Sequence, residues 1–357
     1  MAHGFRTRAS DLVTLELGPE TVDELQRKLT REIDAERFTR IDRALLRDAD
    51  GGILSTGSTQ GRDDGQFRAL RMGRLRKLER MGLASELKPG IWRIADRTEA
   101  VLRELGQRND IIKTMQRCVK KAGIEQGART FNIFKADDPN ARITGKVVSL
   151  GLSNEITEGQ FVVVDGLDGK LHYADVGQLK PNDLPREGLL LTLRGQSTGV
   201  EPTHRNQARL FVESHAPLEQ LPTAVGATWL DRQLLANRPI RFVDRGFGAE
   251  VKSALRQRQR WLVENGYMSE RGGQLVARRR LLEKLTRKDV AMAGSRLEKE
   301  LGRSFQEAPG VNWKSAQALG SVRLASGRFA IVQKGKEFLL VPWRQALLLS
   351  KGRGVSL

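Results

Sequence analysis

Residues 71–95 (RMGRLRKLERMGLASELKPGIWRIA) and residues 255–277 (LRQRQRWLVENGYMSERGGQLVA) are two copies of one pattern. Each is an Arg-rich amphipathic run, then a glycine that stops it (Gly82, Gly266), then a short hairpin signal. Glycine stops a helix because it enters the left-handed backbone region without a Cβ penalty. In the first copy Leu70, Leu75, Leu78 and Met81 recur at helical spacing, and Arg71, Arg74, Arg76, Lys77 and Arg80 take the other faces. Pro89-Gly90 supplies the turn, and Ile91-Trp92-Arg93-Ile94 reads as the returning strand. In the second copy Gln274-Leu275-Val276-Ala277 is the matching strand. A basic helix, a stop and a β wing follow the order of a winged helix-turn-helix. The two stops lie 184 residues apart.

Charge follows the repeat. The 357-residue chain has a net charge of +18, and the segments 51–135 and 225–304 carry +9 each. Segment 136–224 carries −4. A basic excess focused on two helix–hairpin segments predicts nucleic acid as the partner. Hydrophobic content of 39% and charged content of 29% fit a soluble globular chain long enough for several domains. No apolar run reaches membrane-spanning length and MAHGFRTRAS lacks a signal-peptide core, so the expected location is the cytoplasm, without membrane insertion. The single Cys118 excludes an internal disulfide framework.

The flanks complete the expected architecture. Residues 1–50 read as two helices, one ending at Gly18-Pro19 and one running from Thr21 to about Leu46. Residues 51–130 hold the first winged helix and a long helix over about 97–122. Between 131 and 214 the period becomes that of strands, in FNIF, ITGKVVSLGL, GQFVVVDG, KLHYADV, LLLTLRG and ARLFVE. Short strands at regular spacing predict a small closed β barrel over 131–215. Residues 216–304 repeat the helical and winged-helix unit, with Thr228 capping a helix and a long basic helix from 278. Residues 305–357 echo the first barrel. The expected class is therefore α+β, two divergent repeats of a helical/winged-helix unit followed by a small β barrel.

Five ordered stretches carry a resemblance: AHGFRTRASDLVTLELGP with DAERFTRIDRALLRDA, RLRKLERMGLA, GLSNEITEGQFVVVDGLDGKLHYADVG, ATWLDRQLLA with GFGAEV, and LASGRFAIV with FLLVPW. Together they resemble the C-terminal region, catalogued as a domain of unknown function, of the relaxase/mobilisation nucleases of conjugative elements, related to the T-DNA border nucleases. The resemblance covers nearly the whole chain. It implies a place in the relaxosome, with DNA and the type IV secretion coupling protein as partners. Family relaxases nick DNA with a nucleophilic Tyr and a three-His metal cluster. Neither pattern is in this sequence, whose four histidines are His3, His172, His204 and His215. The expectation is a non-catalytic module with no cofactor and no metal.

The residues expected to bind DNA, single- or double-stranded, are Arg71, Arg74, Arg76, Lys77, Arg80 and Arg93 in the first copy. In the second they are Arg256, Arg258, Arg260 and the run Arg278, Arg279, Arg280. Arginine reads guanine edges bidentately and pairs with phosphate. Trp92, Trp229, Trp261 and Trp313 are expected mostly in the core, with Trp343 the exposed one. Asp168-Gly169 reads as a hairpin turn rather than a cation loop. The alternative function is a docking or translocation-signal module recognised by the coupling protein.

Overall fold

A computed structural model describes residues 27, 30–56, 65–124, 129–154, 158–196, 207–238, 240–272, 274–307 and 316–343. The expected helix ending at Gly18-Pro19 and the position of Trp313 lie outside the described residues. The chain divides into two compact units, the first ending at Thr114 and the second beginning at Met115.

The first unit is built around a capped helix and a buried arginine. Helix α1 (Arg40–Asp48) starts on a capping box: Thr39 Oγ1 accepts from the Asp42 backbone N–H, and the Asp42 carboxylate accepts from the Thr39 N–H at 2.8 Å. Strand β1 (Ile53–Ser55) leads to helix α2 (Gly65–Arg80), then β2 (Ala84–Lys88) and β3 (Ile91–Ile94). Helix α3 (Thr98–Lys121) follows. The strands form one sheet in the order β1-β3-β2. From α2, Arg74 reaches inward and is 0% exposed. Its Nε and Nη2 donate to the two Asp42 oxygens at 2.7 and 2.8 Å, and its remaining donors meet the carbonyls of Ile33, Ala35 and Arg37. Those carbonyls turn to Arg74, so the helical run expected from Thr21 to Leu46 is broken ahead of α1.

The second unit repeats the arrangement. Helix α4 (Trp229–Leu234) has the same capping box, on Thr228 and Asp231. Helix α5 (Phe247–Glu264), β10 (Met268–Arg271), β11 (Gln274–Ala277) and helix α6 (Leu281–Leu301) follow. From α5, Arg258 is 0% exposed and donates to the Asp231 oxygens at 2.7 and 2.8 Å. Its other donors meet the carbonyls of Pro222, Ala224 and Gly226. Both basic helices end the same way. Gly82 and Gly266 each sit at φ +70°, while Leu83 N–H donates to the Leu78 carbonyl and Tyr267 N–H to the Leu262 carbonyl. A left-handed residue is cheap only for glycine, which is why both stops are glycine.

The strand runs expected between 131 and 214 form, as β4 (Thr130–Ile133), β5 (Arg142–Asn154), β6 (Gly159–Gly166), β7 (Lys170–Gly177), β8 (Leu190–Arg194) and β9 (Arg209–Val212). They make a six-stranded sheet in the order β4-β7-β6-β5-β8-β9. It is open, which corrects the expectation of a closed barrel. Its edges β4 and β9 are four residues long and do not pair with one another. One face packs a core of Val147, Val162, Val164, Leu191 and Leu193. The C-terminal strands β12 (Ser304–Phe305), β13 (Gln317–Leu324), β14 (Gly327–Lys334) and β15 (Glu337–Pro342) form a second open sheet, β12-β15-β14-β13, again not a barrel. The molecule is a mixed α+β protein. Among the described residues no helix is long and apolar enough to cross a membrane.

Removing one partner of a buried ion pair leaves an uncompensated buried charge, at about 3–5 kcal/mol. Arg258→Ala is expected to lower stability by that amount in urea unfolding. The exposed neighbour Arg256→Ala is expected to change it by less than about 0.5 kcal/mol.

Candidate nucleic-acid interface

Helix α5 is held at its start by the six-stranded sheet. Val243 N–H donates to the Leu167 carbonyl at 3.0 Å, and the close approach of the Val243 carbonyl leaves no room for a Cβ at Gly248. Lys146 of β5 pairs with Glu250 at 2.7 Å and lies 5.2 Å from the Phe247 ring centroid. Arg129 pairs with Asp165, whose carboxyl burial pushes above its ordinary range against the opposing pull of Arg129. One stripe of α5 is buried, running through Phe247, Val251, Ala254, Arg258 and Leu262. The opposite stripe, with Ser253, Arg256, Gln257 and Arg260, is open to solvent. Trp261 is half-buried between Arg258, at 4.4 Å, and Tyr267, stacked at 5.9 Å.

The expected DNA-binding residues separate sharply on this frame. Arg74 and Arg258 are structural: each is enclosed and saturated by Asp42 or Asp231 and by backbone carbonyls, so neither reaches a phosphate. Arg71 is also buried, with its guanidinium on Asp48 at 2.8 Å. Of the α2 cations that reach the surface, Arg68 has no carboxylate partner among the described residues, whereas Arg76, Lys77 and Arg80 are countered. Arg76 pairs with Glu79 at 3.1 Å and Glu86 at 2.9 Å, and these contacts raise its pKa. Lys77 faces Glu36 at 3.5 Å and Arg80 faces Asp34 at 3.9 Å. Arg93 is exposed on β3.

The second copy differs. Arg256 and Arg260 project four residues apart from the open stripe of α5, and no carboxylate among the described residues pairs with either. The same holds for Arg271 on β10 and for Arg278 and Arg279, which precede α6. Arg280 is not inside the helix expected from 278. It is the N-cap of α6, left-handed at φ 59°, and faces Glu283 at 3.6 Å. Further cations missed in the sequence, Lys284, Arg287 and Lys288, are exposed on α6.

The two hairpins also differ. In the first copy β1 pairs with β3 along Ile53–Ser55. In the second, β10 and β11 form a two-stranded sheet, and Leu275 and Val276 are 42% and 43% exposed. The segment that precedes α5 runs instead to the six-stranded sheet, where Ile240 and Phe242 pack beside Phe247 and Val251.

His172 and Asp168 are satisfied internally. His172 is buried; Asn132 Nδ2 donates to its Nδ1 at 3.1 Å, leaving Nε2–H for Asp168 at 3.0 Å. Burial alone raises the Asp168 pKa, but this hydrogen bond and the Lys170 N–H leave it below its ordinary value. Asp168 and Gly169 form the β6–β7 turn, as the sequence predicts. Trp92 and Trp229 are core residues, as expected. Trp343 is not an open platform: it is half-buried, and the Arg328 guanidinium covers its ring at 3.8 Å. Among the described residues there is no group of three metal-ligating side chains.

Burial, together with Arg323 and Arg328, holds His215 below its ordinary pKa. A histidine with a depressed folded-state pKa favours the fold when neutral, so the stability it contributes is present above the unfolded value of 6.5 and is lost as pH falls below it. Urea midpoints measured between pH 8 and pH 5 are expected to fall below about pH 6.5. His215→Gln is expected to flatten that decline.

The chain belongs to the family described as protein of unknown function (DUF3363), whose model matches residues 71–210 and 195–357. No curated protein and no solved structure matches it.

Proposed function

We propose that this DUF3363 chain is a non-catalytic DNA-binding module that holds DNA on its second helix–hairpin. The observation that supports the reading is the set of unneutralised cations there: Arg256 and Arg260 on the open stripe of α5, with Arg271, Arg278 and Arg279 beside them. A cation without a carboxylate neighbour is free to displace counterions from phosphate, which drives nonspecific DNA affinity. The helix followed by a projecting hairpin is read as a winged helix, with α5 in the groove and β10–β11 as the wing. The first helix–hairpin has the same frame with Arg76, Lys77 and Arg80 of its helix countered by carboxylates, and serves mainly as the structural copy. On the resemblance drawn from the sequence, the module is the C-terminal region of a conjugative relaxase. There it holds origin-of-transfer DNA or the transferred strand in the cytoplasmic relaxosome.

A second reading has its own observation. The open β11 edge, with Leu275 and Val276 exposed, favours docking of a protein such as the type IV coupling protein. Titration of a labelled duplex at several salt concentrations separates the two. The triple reversal Arg256→Glu, Arg260→Glu, Arg278→Glu is expected to weaken binding at least tenfold near 0.1 M salt and to flatten the log–log salt slope by about 3. Duplex affinity that is absent in the parent chain, or unchanged by that variant, would overturn the first reading and favour the second.

A further inference from the structure

The six-stranded sheet has a second, partly open face. At one end Leu190 of β8 packs with Trp229, Phe247 and Val251 of the helices that cover it. At the other end the register brings three arginines into one row: Arg142 of β5 opposite Arg194 of β8, and Arg194 opposite Arg209 of β9. All three are exposed. Neighbouring strands lie about 4.8 Å apart, so three like charges stand within roughly 10 Å. Like charges directly opposite destabilise a strand pair. No carboxylate among the described residues comes within ion-pairing distance of them.

The adjacent row is Thr144, Thr192 and Phe211. The threonine hydroxyls are hydrogen-bonded to each other at 2.8 Å, and Thr192 donates to Glu213 at 2.7 Å. Glu213, just beyond the end of β9, is therefore engaged. Phe211 is 42% exposed, and Arg194 lies 4.9 Å from its ring centroid. Leu210 and Val212, its neighbours on β9, turn inward, so nothing in the alternation forces an aromatic outward.

We infer that this face binds single-stranded nucleic acid, with phosphates on Arg142, Arg194 and Arg209 and an unpaired base stacked on Phe211. The arginines supply the sequence-independent attraction. The ring selects the strand form, because a base in a duplex has its faces stacked on its neighbours, whereas a single strand offers them to an aromatic platform. The site is separate from the second helix–hairpin and does not depend on the function proposed for it.

Fluorescence anisotropy of the full chain with a labelled 20-nucleotide oligo-dT, and with a 20-base-pair duplex, tests the assignment. Phe211→Ala is expected to weaken oligo-dT binding about tenfold and leave duplex binding unchanged, whereas Phe211→Trp retains oligo-dT affinity. The triple change Arg142→Ser, Arg194→Ser, Arg209→Ser is expected to flatten the oligo-dT salt slope by about 2. All four side chains are exposed, so thermal unfolding of no variant is expected to fall below that of the parent. Absence of oligo-dT binding by the parent chain, an unchanged affinity in Phe211→Ala, or equal losses on oligo-dT and duplex in the arginine triple would overturn the proposal. The Arg256→Glu, Arg260→Glu pair is expected to affect the duplex and to spare the Phe211 effect, so failure of either reading is visible by itself.

Discussion

A buried arginine clamped between an aspartate and a turn of inward-facing carbonyls holds each helix–hairpin together. In both copies the aspartate is the third residue of a capped helix, so one carboxylate closes the cap and neutralises the guanidinium. A guanidinium has five fixed N–H donors, and burying it without acceptors for them is prohibitive. The carbonyls of 33, 35 and 37 in one copy, and of 222, 224 and 226 in the other, supply the remaining acceptors. The clamp therefore fixes three things together: the start of the capped helix, the path of the chain before it, and the rotation of the basic helix about its axis. That rotation decides which side chains of the basic helix face water.

With the frame fixed, the two copies diverge at the surface. In the first, Glu79, Glu86, Glu36 and Asp34 counter Arg76, Lys77 and Arg80 of α2, and β1 completes the sheet. In the second, the stretch before α5 is drawn into the six-stranded sheet, its hydrophobic residues packing beside Phe247. That anchors α5 and leaves β11 with one partner strand. Among the described residues no carboxylate pairs with Arg256 or Arg260, on the side that the clamp turns outward. The same fold element thus becomes a support in one place and an available cationic surface in the other.

Much of this was legible in the sequence. The glycine stops, the hairpins, the strands between 131 and 214 and the basic helices were readable because each rests on local chemistry or period. Arg74 and Arg258 were misplaced on the surface, although the pattern contained the signal. Arg258 falls on the stripe of Val251, Ala254 and Leu262, and Arg74 lies four residues from both Leu70 and Leu78. An arginine on an apolar stripe, preceded by Thr-x-x-Asp in each copy, marks an internal partner. Sheet closure was not legible, since it depends on whether two short edge strands find each other. Nor was the arginine row, which exists only once the register of β5, β8 and β9 is set.

The most direct measurement is hydrogen exchange of the whole chain, free and with saturating duplex DNA. The account predicts slowed exchange in peptides covering 253–280, with peptides covering 71–94 unchanged. Protection over 71–94 with 253–280 unchanged would contradict it, because the copy whose helix cations are mostly countered would then be the one that holds DNA.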